Sequence, residues 1–154
     1  MKLAEPKFHT STFRHEFEPE FSYLAGGKPA WLEIDCRPGG YLNPELMAAF
    51  EEIDTRARIA ALEAKARRSA AKDADARNSK NASERIAAIV RHCVIDWRTN
   101  ILDDGKPMDC TDENIRAMCE VKHPAIAAAL VAFFEYVNQT ADFLGEADED
   151  AEKN

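Results

Sequence analysis

Residues 96–114 constrain the fold more than any other part of the sequence. Within them, the run Asp-Asp-Gly-Lys-Pro at 103–107 is a turn signal, because glycine adopts positive φ without steric cost and proline blocks a helix. Thr111 is placed to cap a new helix, and Asp112 and Glu113 fall in its positive first turn. The segment therefore predicts two packed helices joined by a rigid surface turn.

The apolar residues before this turn repeat at helical spacing. Ser83 is placed to cap a helix whose apolar stripe continues to Ile101, opposed by Arg91 and Arg98. Trp97 lies in register with this stripe, so we expect it to be a core residue and not a surface hot spot. The predicted core residues are Ile86, Val90, Val94, Trp97, Ile101, Leu130 and Phe133.

Two N-terminal segments alternate apolar and polar residues, which is the pattern of strands. The alternating residues are Phe13, His15 and Phe17 in the first segment and Leu32, Ile34 and Cys36 in the second. A glycine- and proline-containing turn at 26–29 separates them, so residues 8–38 are predicted to form a short antiparallel hairpin or sheet. Two strands alone are marginally stable in water, so we expect them to lie on apolar surface.

Residues 44–64 are predicted to form a helix. Asn43 is a cap residue, Pro44 suits the first helical position, and an acid follows. Beyond Ala64 the apolar face consists of alanine alone, which favours helix but buries little area. We therefore expect residues 65–82 to form a projecting or flexible basic segment.

The last helix is predicted over residues 124–144. One face carries the apolar stripe Ile126, Leu130, Phe133 and Val137. Tyr136 and Phe143 fall together on a second flank, with Phe134 at the edge of the stripe, and these three are the candidate partner-binding residues. Residues 145–154 are strongly acidic and are predicted to be a disordered tail.

The predicted fold class is α+β, mainly α. A short N-terminal antiparallel β segment is followed by a small helical bundle of about four helices. Residues 1–144 are expected to form a single domain, with its helical core at 84–144.

No catalytic, cofactor-binding or metal-binding residues are predicted. His92 and Cys93 are adjacent in the chain, so they point to different sides of a helix. Cys110, Cys119 and His123 match no zinc-ligand spacing. The four cysteines show no disulfide-framework pattern, and we expect reduced thiols. No serine elbow or phosphate-binding glycine loop is present in the sequence.

The charge distribution limits the classes of partner. A net charge of −8 disfavours general binding to nucleic acid or anionic membranes, and no apolar run approaches the roughly 20 residues that span a bilayer. The one basic block, residues 55–80, holds eight Lys or Arg against three acids. Three interpretations stay open: a phosphate-contacting helix, a solvated helix kept soluble by its charges, and a surface attracted to acidic protein such as a second copy of this chain.

Several short segments occur in a distinctive order. A strand followed by an Arg-Pro element lies at 31–38, and a segment containing Arg91 and Trp97 leads to Asp-Gly-Lys-Pro at 104–107. A capped helix of the type Cys-Thr-Asp-Glu-Asn follows at 110–114. In this order the segments resemble the tail assembly chaperones of long-tailed (siphovirus-type) bacteriophages.

The resemblance covers roughly residues 8–144 in layout and is most specific at 86–120; the chain departs from the pattern at 55–82. It implies a non-enzymatic protein that binds the long helical tape measure protein and helps subunits of the tail tube protein assemble around it. It also implies self-association and action in the cytoplasm of the infected bacterial host, without a place in the mature virion. No cofactor, membrane or nucleic-acid partner is expected. The alternatives are a small nucleic-acid-binding regulator using 55–80, and another phage tail morphogenesis protein, such as a completion or connector protein.

Overall fold

A computed structural model describes residues 8–67, 70–120, 122–139 and 143–144, with the backbone alone for 70–73. The fold is α+β and mainly helical, with a small antiparallel sheet near the N-terminus, which confirms the predicted class. The strands are β1 (Ser11–Glu16), β2 (Trp31–Cys36), β3 (Val94–Thr99), β4 (Leu102–Asp103) and β5 (Lys106–Pro107). The α-helices of the described residues are α1 (Pro44–Ala66), α2 (Ala70–Cys93), α3 (Asp112–Glu120) and α4 (Pro124–Val137).

The main sheet has the strand order β1–β2–β3, and both pairings are antiparallel. Phe13, Ile34 and Trp97 lie side by side across it, and all three are buried. The two predicted strands are β1 and β2, which are connected through the short 3₁₀ helix Pro19–Ala25. One face of the sheet is buried and the other is exposed, so β1 and β2 show the alternating pattern from which they were predicted.

The predicted helix reaching Ile101 is wrong in its second half, because α2 ends at Cys93 and the chain continues directly as β3. Opposite β2, Val94 and Asp96 occupy successive pairing positions. Ile95 between them is an extra residue, which makes a β-bulge. The bulge leaves two exposed residues in succession, so the alternation of a strand is interrupted and the apolar spacing imitates a helix.

The turn at 103–107 therefore joins the two strands β4 and β5. The prediction of a helix before this turn is wrong, because β3 and β4 precede it. Asp104 and Gly105 form its tip with φ of 52° and 80°. The helix predicted after the turn is α3. Its cap is as predicted, since the backbone N–H of Asn114 donates to Thr111 Oγ1 at 3.1 Å.

The helices α1 and α2 lie side by side as a helical hairpin, called the arm below. Asn43 caps α1 as predicted, accepting a hydrogen bond from the backbone N–H of Leu46 at 3.1 Å. The arm enters and leaves the sheet at neighbouring points, because the backbone N–H of Arg37 donates to the carbonyl oxygen of Cys93 at 2.8 Å. The arm is thus inserted between β2 and β3.

The predicted basic segment 65–82 is largely helical. Residues 70–82 belong to α2, while residues 68–69 lie outside the described part of the chain. Ser83 lies inside α2 and begins no helix, so its predicted capping role is wrong. The acidic tail predicted at 145–154 also lies outside the described residues.

The core lies between the sheet, the base of the arm, α3 and α4. Six of the seven predicted core residues are buried, namely Val90, Val94, Trp97, Ile101, Leu130 and Phe133. Ile86 is the exception: it is half-buried and lies one turn before Val90 on α2, outside the core cluster. At that level the arm has begun to extend beyond the core.

The helix α4 covers the buried face of the sheet. The rings of Phe13 and Phe133 have centroids 5.6 Å apart. The end of α4 is fixed to the loop after β2, since the backbone N–H of Gly39 donates to the carbonyl oxygen of Val137 at 2.7 Å. A Cβ at Gly39 would lie 3.1 Å from Oδ1 of Asn138, so a larger residue there would require its neighbours to shift by a few tenths of an ångström.

Candidate partner-binding surfaces

The aromatic pair proposed as a binding surface is not exposed. Phe143 is fully buried, with 0% of its side chain exposed, and Tyr136 and Phe134 are half-buried. Tyr136 and Phe143 do lie together, with ring centroids 5.8 Å apart. The predicted helix over 124–144 is wrong at its end, because α4 stops at Val137, so one continuous helix does not account for this contact. The expectation that this pair is exposed is wrong, because Phe143 is buried and β1 packs against Tyr136.

Contacts with the N-terminal strand account for this burial. The Tyr136 ring packs on Phe13 with centroids 5.4 Å apart. Its hydroxyl is hydrogen-bonded to Oγ of Ser11 and donates to the carbonyl oxygen of Thr12 at 3.4 Å. The backbone N–H of His9 donates to the carbonyl oxygen of Phe143 at 3.0 Å. The aromatic flank thus joins both ends of the domain.

The opposite side of α4 is exposed and nearly uncharged. It carries Ala127, Ala128, Val131 and Glu135, with Phe134 at its border. The Val131 side chain is 56% exposed, and Glu135 is the one charged residue of the 14-residue helix. Exposed helix faces are normally charged, so this α4 face is a candidate protein-binding surface. The sequence signal for it was the lack of charge through residues 124–134.

A second apolar surface is an open cleft of about 250 Å³, called the cleft below. Its apolar lining comes from Leu24, Ile101, Leu102, Met108, Met118 and Ile126. Leu102 at its mouth is 42% exposed. Five acids and a single lysine lie between Leu102 and Asn114, and one of these acids, Asp103, lines the cleft. No residue of the cleft was a predicted partner-binding residue.

The arm carries a third exposed apolar group. Ile59 and Leu62 on α1 are 52% and 68% exposed. The groove between α1 and α2 is lined on the α1 side largely by small residues such as Ala57 and Ala61, so Ile59 and Leu62 face away from α2. Four basic residues and one acid lie between residues 55 and 67.

The exposed face of the main sheet is charged, but its charges are paired. Arg98 donates to Asp35 at 2.8 and 3.0 Å and to Glu33 at 3.2 Å, and Arg14 reaches Glu33 at 2.6 Å. The hydrogen bond from Arg98 lowers the pKa of Asp35. Arg14 also lies over the Trp31 ring, 5.0 Å from its centroid. Both arginines are thus paired with neighbouring carboxylates, which outnumber them once Glu16 is counted.

The two fully buried cysteines have raised thiol pKa values. Burial raises the pKa of Cys36 and of Cys93 to about 12, which disfavours the reactive thiolate. All four cysteines are free. Within the described ranges no group of three or more His, Cys, Asp or Glu is placed to bind a metal ion.

No single helix of the described residues is long and apolar enough to cross a membrane. Comparison of the chain with protein-family models, with curated proteins and with solved structures finds no significant match.

Proposed function

We propose that this protein is a non-enzymatic tail assembly chaperone of a long-tailed bacteriophage. In this role it binds the tape measure protein in the host cytoplasm and helps subunits of the tail tube protein assemble around it. The proposal rests on the resemblance of the short segments at 31–38, 86–107 and 110–114. The structural observation that carries it is the exposed, nearly uncharged face of α4.

That face suits a helical client. A helix packs against another helix through residues three and four positions apart, and Ala128, Val131 and Glu135 have this spacing on the exposed side of α4. Small side chains at Ala127 and Ala128 allow a partner backbone to approach closely. Because each contact is modest, the client can be held during assembly and later displaced by the tube subunits.

The α4 face replaces the pair Tyr136 and Phe143 as the proposed binding site. Binding through that pair would require β1 to detach from α4, since Phe13 and Ser11 contact Tyr136. The α4 face is accessible without any change in the fold. The role assigned to the last helix is therefore kept, and its binding surface is moved to the other side.

Coexpression with the long helical product of the neighbouring gene tests the proposal. The double variant A128K/V131E places two charges on the face, keeps the net charge, and uses residues that favour helix. Wild-type protein should increase the soluble fraction of the client, and the double variant should lose most of this increase. Y41S is the matched control, because Tyr41 is an exposed aromatic remote in sequence from α4.

Circular dichroism and melting temperature should be nearly the same for all three proteins. Equal client solubility with and without wild-type protein would contradict the chaperone function. If A128K/V131E supported the client as well as wild type does, the function would stand and the α4 face would be the wrong surface.

A further inference from the structure

We propose that the outer half of the arm opens and closes as one unit while the base of the arm stays closed. This outer half, called the clasp below, comprises residues 57–66 of α1 and residues 74–84 of α2. The equilibrium lies within the single chain, so it goes beyond the proposed function and requires no client. The two halves of the arm are held together by very different contacts.

Strong contacts hold the base of the arm closed. The guanidinium group of Arg85 on α2 donates to Oδ1 of Asp54 on α1 at 2.8 Å. It also lies 4.2 Å from the centroid of the Phe50 ring, a stabilising cation–π contact. Ile53 and Ala88, one from each helix, are both buried in the core cluster. The base of the arm is therefore continuous with the core.

The two helices of the clasp bury little apolar area between them. On α1 the side that lines the groove facing α2 is formed largely by alanine, at Ala57, Ala60 and Ala64. On α2, residues 74–84 contain no Leu, Ile, Val, Met or aromatic residue. Methyl groups contribute little hydrophobic stabilisation, and Ala64 is buried without belonging to the core cluster. Packing therefore holds the clasp only weakly.

A buried polar atom weakens the clasp further. Asn81 lines the groove between the two helices, and no residue of the described chain donates a hydrogen bond to its buried Oδ1 atom. Such an acceptor is destabilising because it has lost its hydrogen bonds to water, and opening the clasp restores them. An ion pair between Arg56 and Glu84 crosses the groove at 3.6 Å, but the Arg56 side chain is 60% exposed, so the pair adds little stability.

These contacts predict where the opening begins and what it does to the helices. Local opening occurs where few apolar contacts join two parts of a fold, so it should begin just beyond Arg85. Once apart, the two segments of the clasp lose the contact that supports them. Isolated helices shorter than about 12–15 residues are marginal in water, so both segments should then unwind readily.

Opening changes the apolar surface that the arm presents. Ile59 and Leu62 are exposed in the closed arm, on the side away from the groove. In the open arm the alanines of the groove become accessible as well. Seven of the ten residues from 57 to 66 are Ala, Ile or Leu, so most of this segment is then accessible apolar surface. The clasp thus regulates how much apolar surface the arm exposes.

Hydrogen exchange of the purified chain, measured by mass spectrometry, tests this inference. Backbone amides of residues 57–64 and 76–84 should exchange at least about tenfold faster than those of residues 48–54 and 86–92. The two segments of the clasp should also show similar protection, because they open together. Equal protection along the whole arm, or fast exchange in one helix only, would overturn the inference.

Asn81→Leu should favour the closed clasp. Leucine is similar in size to asparagine, and it replaces the buried acceptor with an apolar side chain. Exchange should slow about tenfold in residues 76–84 and also in residues 57–64, where nothing has been substituted. Slower exchange in α2 alone would show that the helices fray separately, and the clasp would be wrong.

Ser79→Ala is the matched control for Asn81→Leu. It raises helix propensity in the same helix, but Ser79 is exposed and is not among the residues that line the groove. It should leave exchange in residues 57–64 as in wild type. If Ser79→Ala slows exchange there as much as Asn81→Leu does, helix propensity explains the result and the clasp is wrong.

Arg85→Ala tests the boundary of the clasp. The substitution removes the contacts with Asp54 and Phe50, so fast exchange should extend into residues 48–56. Protection of β2 should remain as in wild type, which shows that the domain is still folded. A base that stays as protected as in wild type would contradict the proposed boundary.

Discussion

The indole nitrogen of Trp97 donates a hydrogen bond to the carbonyl oxygen of Met108 across 2.9 Å. The bond connects β3 to the residue that follows β5, and the ring itself is buried. Trp97→Ala should destabilise the fold by about 3–5 kcal/mol, because it opens a cavity in the core. Chemical denaturation monitored by circular dichroism measures this loss.

Trp97→Phe measures the contribution of the hydrogen bond separately from that of the buried ring. It keeps most of the apolar volume but leaves the carbonyl of Met108 without its donor, which should cost about 1–3 kcal/mol. Unchanged stability in Trp97→Ala would show that the indole is not a core element.

Asn43 is the next residue whose removal should be costly. Its Oδ1 caps α1, and its Nδ2 donates to the carbonyl oxygens of Pro38 at 3.1 Å and His92 at 3.2 Å. Asn43→Ala should cost about 2–4 kcal/mol, since it removes the cap and both donors. Asn43→Ser keeps a capping oxygen and should recover part of this loss. Equal stability of the two variants would mean that the cap contributes nothing.

Phe143 should behave as a core residue. Phe143→Ala is expected to cost about 3–5 kcal/mol, and Tyr136→Phe about 0.5–1.5 kcal/mol, because the latter removes only the hydrogen bonds to Ser11 and Thr12. Thermal melts of both variants measure the difference. A Phe143→Ala protein that melts like wild type but loses the client would restore this residue to the binding surface.

The fold should lose some stability on mild acidification through His15. Burial against Phe13 and Phe17 lowers its pKa, with a smaller opposing effect from Glu18. Below about pH 6.5 the imidazole is therefore protonated more readily in the unfolded chain than in the folded chain. The free energy of unfolding consequently decreases as the pH is lowered through that range. Urea denaturation at a series of pH values measures this slope.

His15→Gln supplies the comparison for this slope. It removes the titrating group, so the variant should show a smaller decrease in stability between about pH 7 and pH 5.5. An identical slope in the two proteins would assign the effect to other groups.

The cysteines should fall into two classes of reactivity. Cys36 and Cys93 are fully buried and have pKa values raised to about 12, whereas Cys110 and Cys119 are partly exposed. Brief alkylation of the native protein near pH 8 should label Cys110 and Cys119 first. Mass spectrometry of the labelled peptides checks this order, and complete labelling in urea is the control.

The parts of the fold that were predictable have strong local signals. Asn43 followed by Pro44 marked the start of α1, and Thr111 marked the start of α3, because capping depends on neighbouring residues. Leu32, Ile34 and Cys36 revealed β2 by strict alternation. In each case the residues that determine the element lie within a few positions of one another in the sequence.

The strand β3 was not predicted because it forms through pairing with residues far away in the sequence. No glycine or proline marks the junction of α2 and β3 at Cys93 and Val94. The bulge at Ile95 also interrupts the alternation of buried and exposed residues that identifies a strand. Pairing with Asp35, about sixty positions earlier in the chain, is what makes this segment extended. Helical spacing of its apolar residues was consequently misleading.

The exposure of the flank that carries Tyr136 and Phe143 was wrongly predicted for a similar reason. Tyr136 and Phe143 lie together although α4 ends at Val137 and not at the predicted residue 144, and helix periodicity alone does not show which flank another element covers. Contacts from Phe13 and His9, at the other end of the chain, decide it. Val131 remained exposed because no element of the described chain packs over it.

The insertion of the arm between β2 and β3 allows the length of the arm to vary during evolution. Its two ends meet at the hydrogen bond between Arg37 and Cys93, so the pairing of β2 with β3 does not depend on the length of the two helices. Loss or gain of about seven residues in each helix, two turns, preserves which faces meet. Length variation among descendants should therefore concentrate in the arm, while the strands on either side keep their pairing.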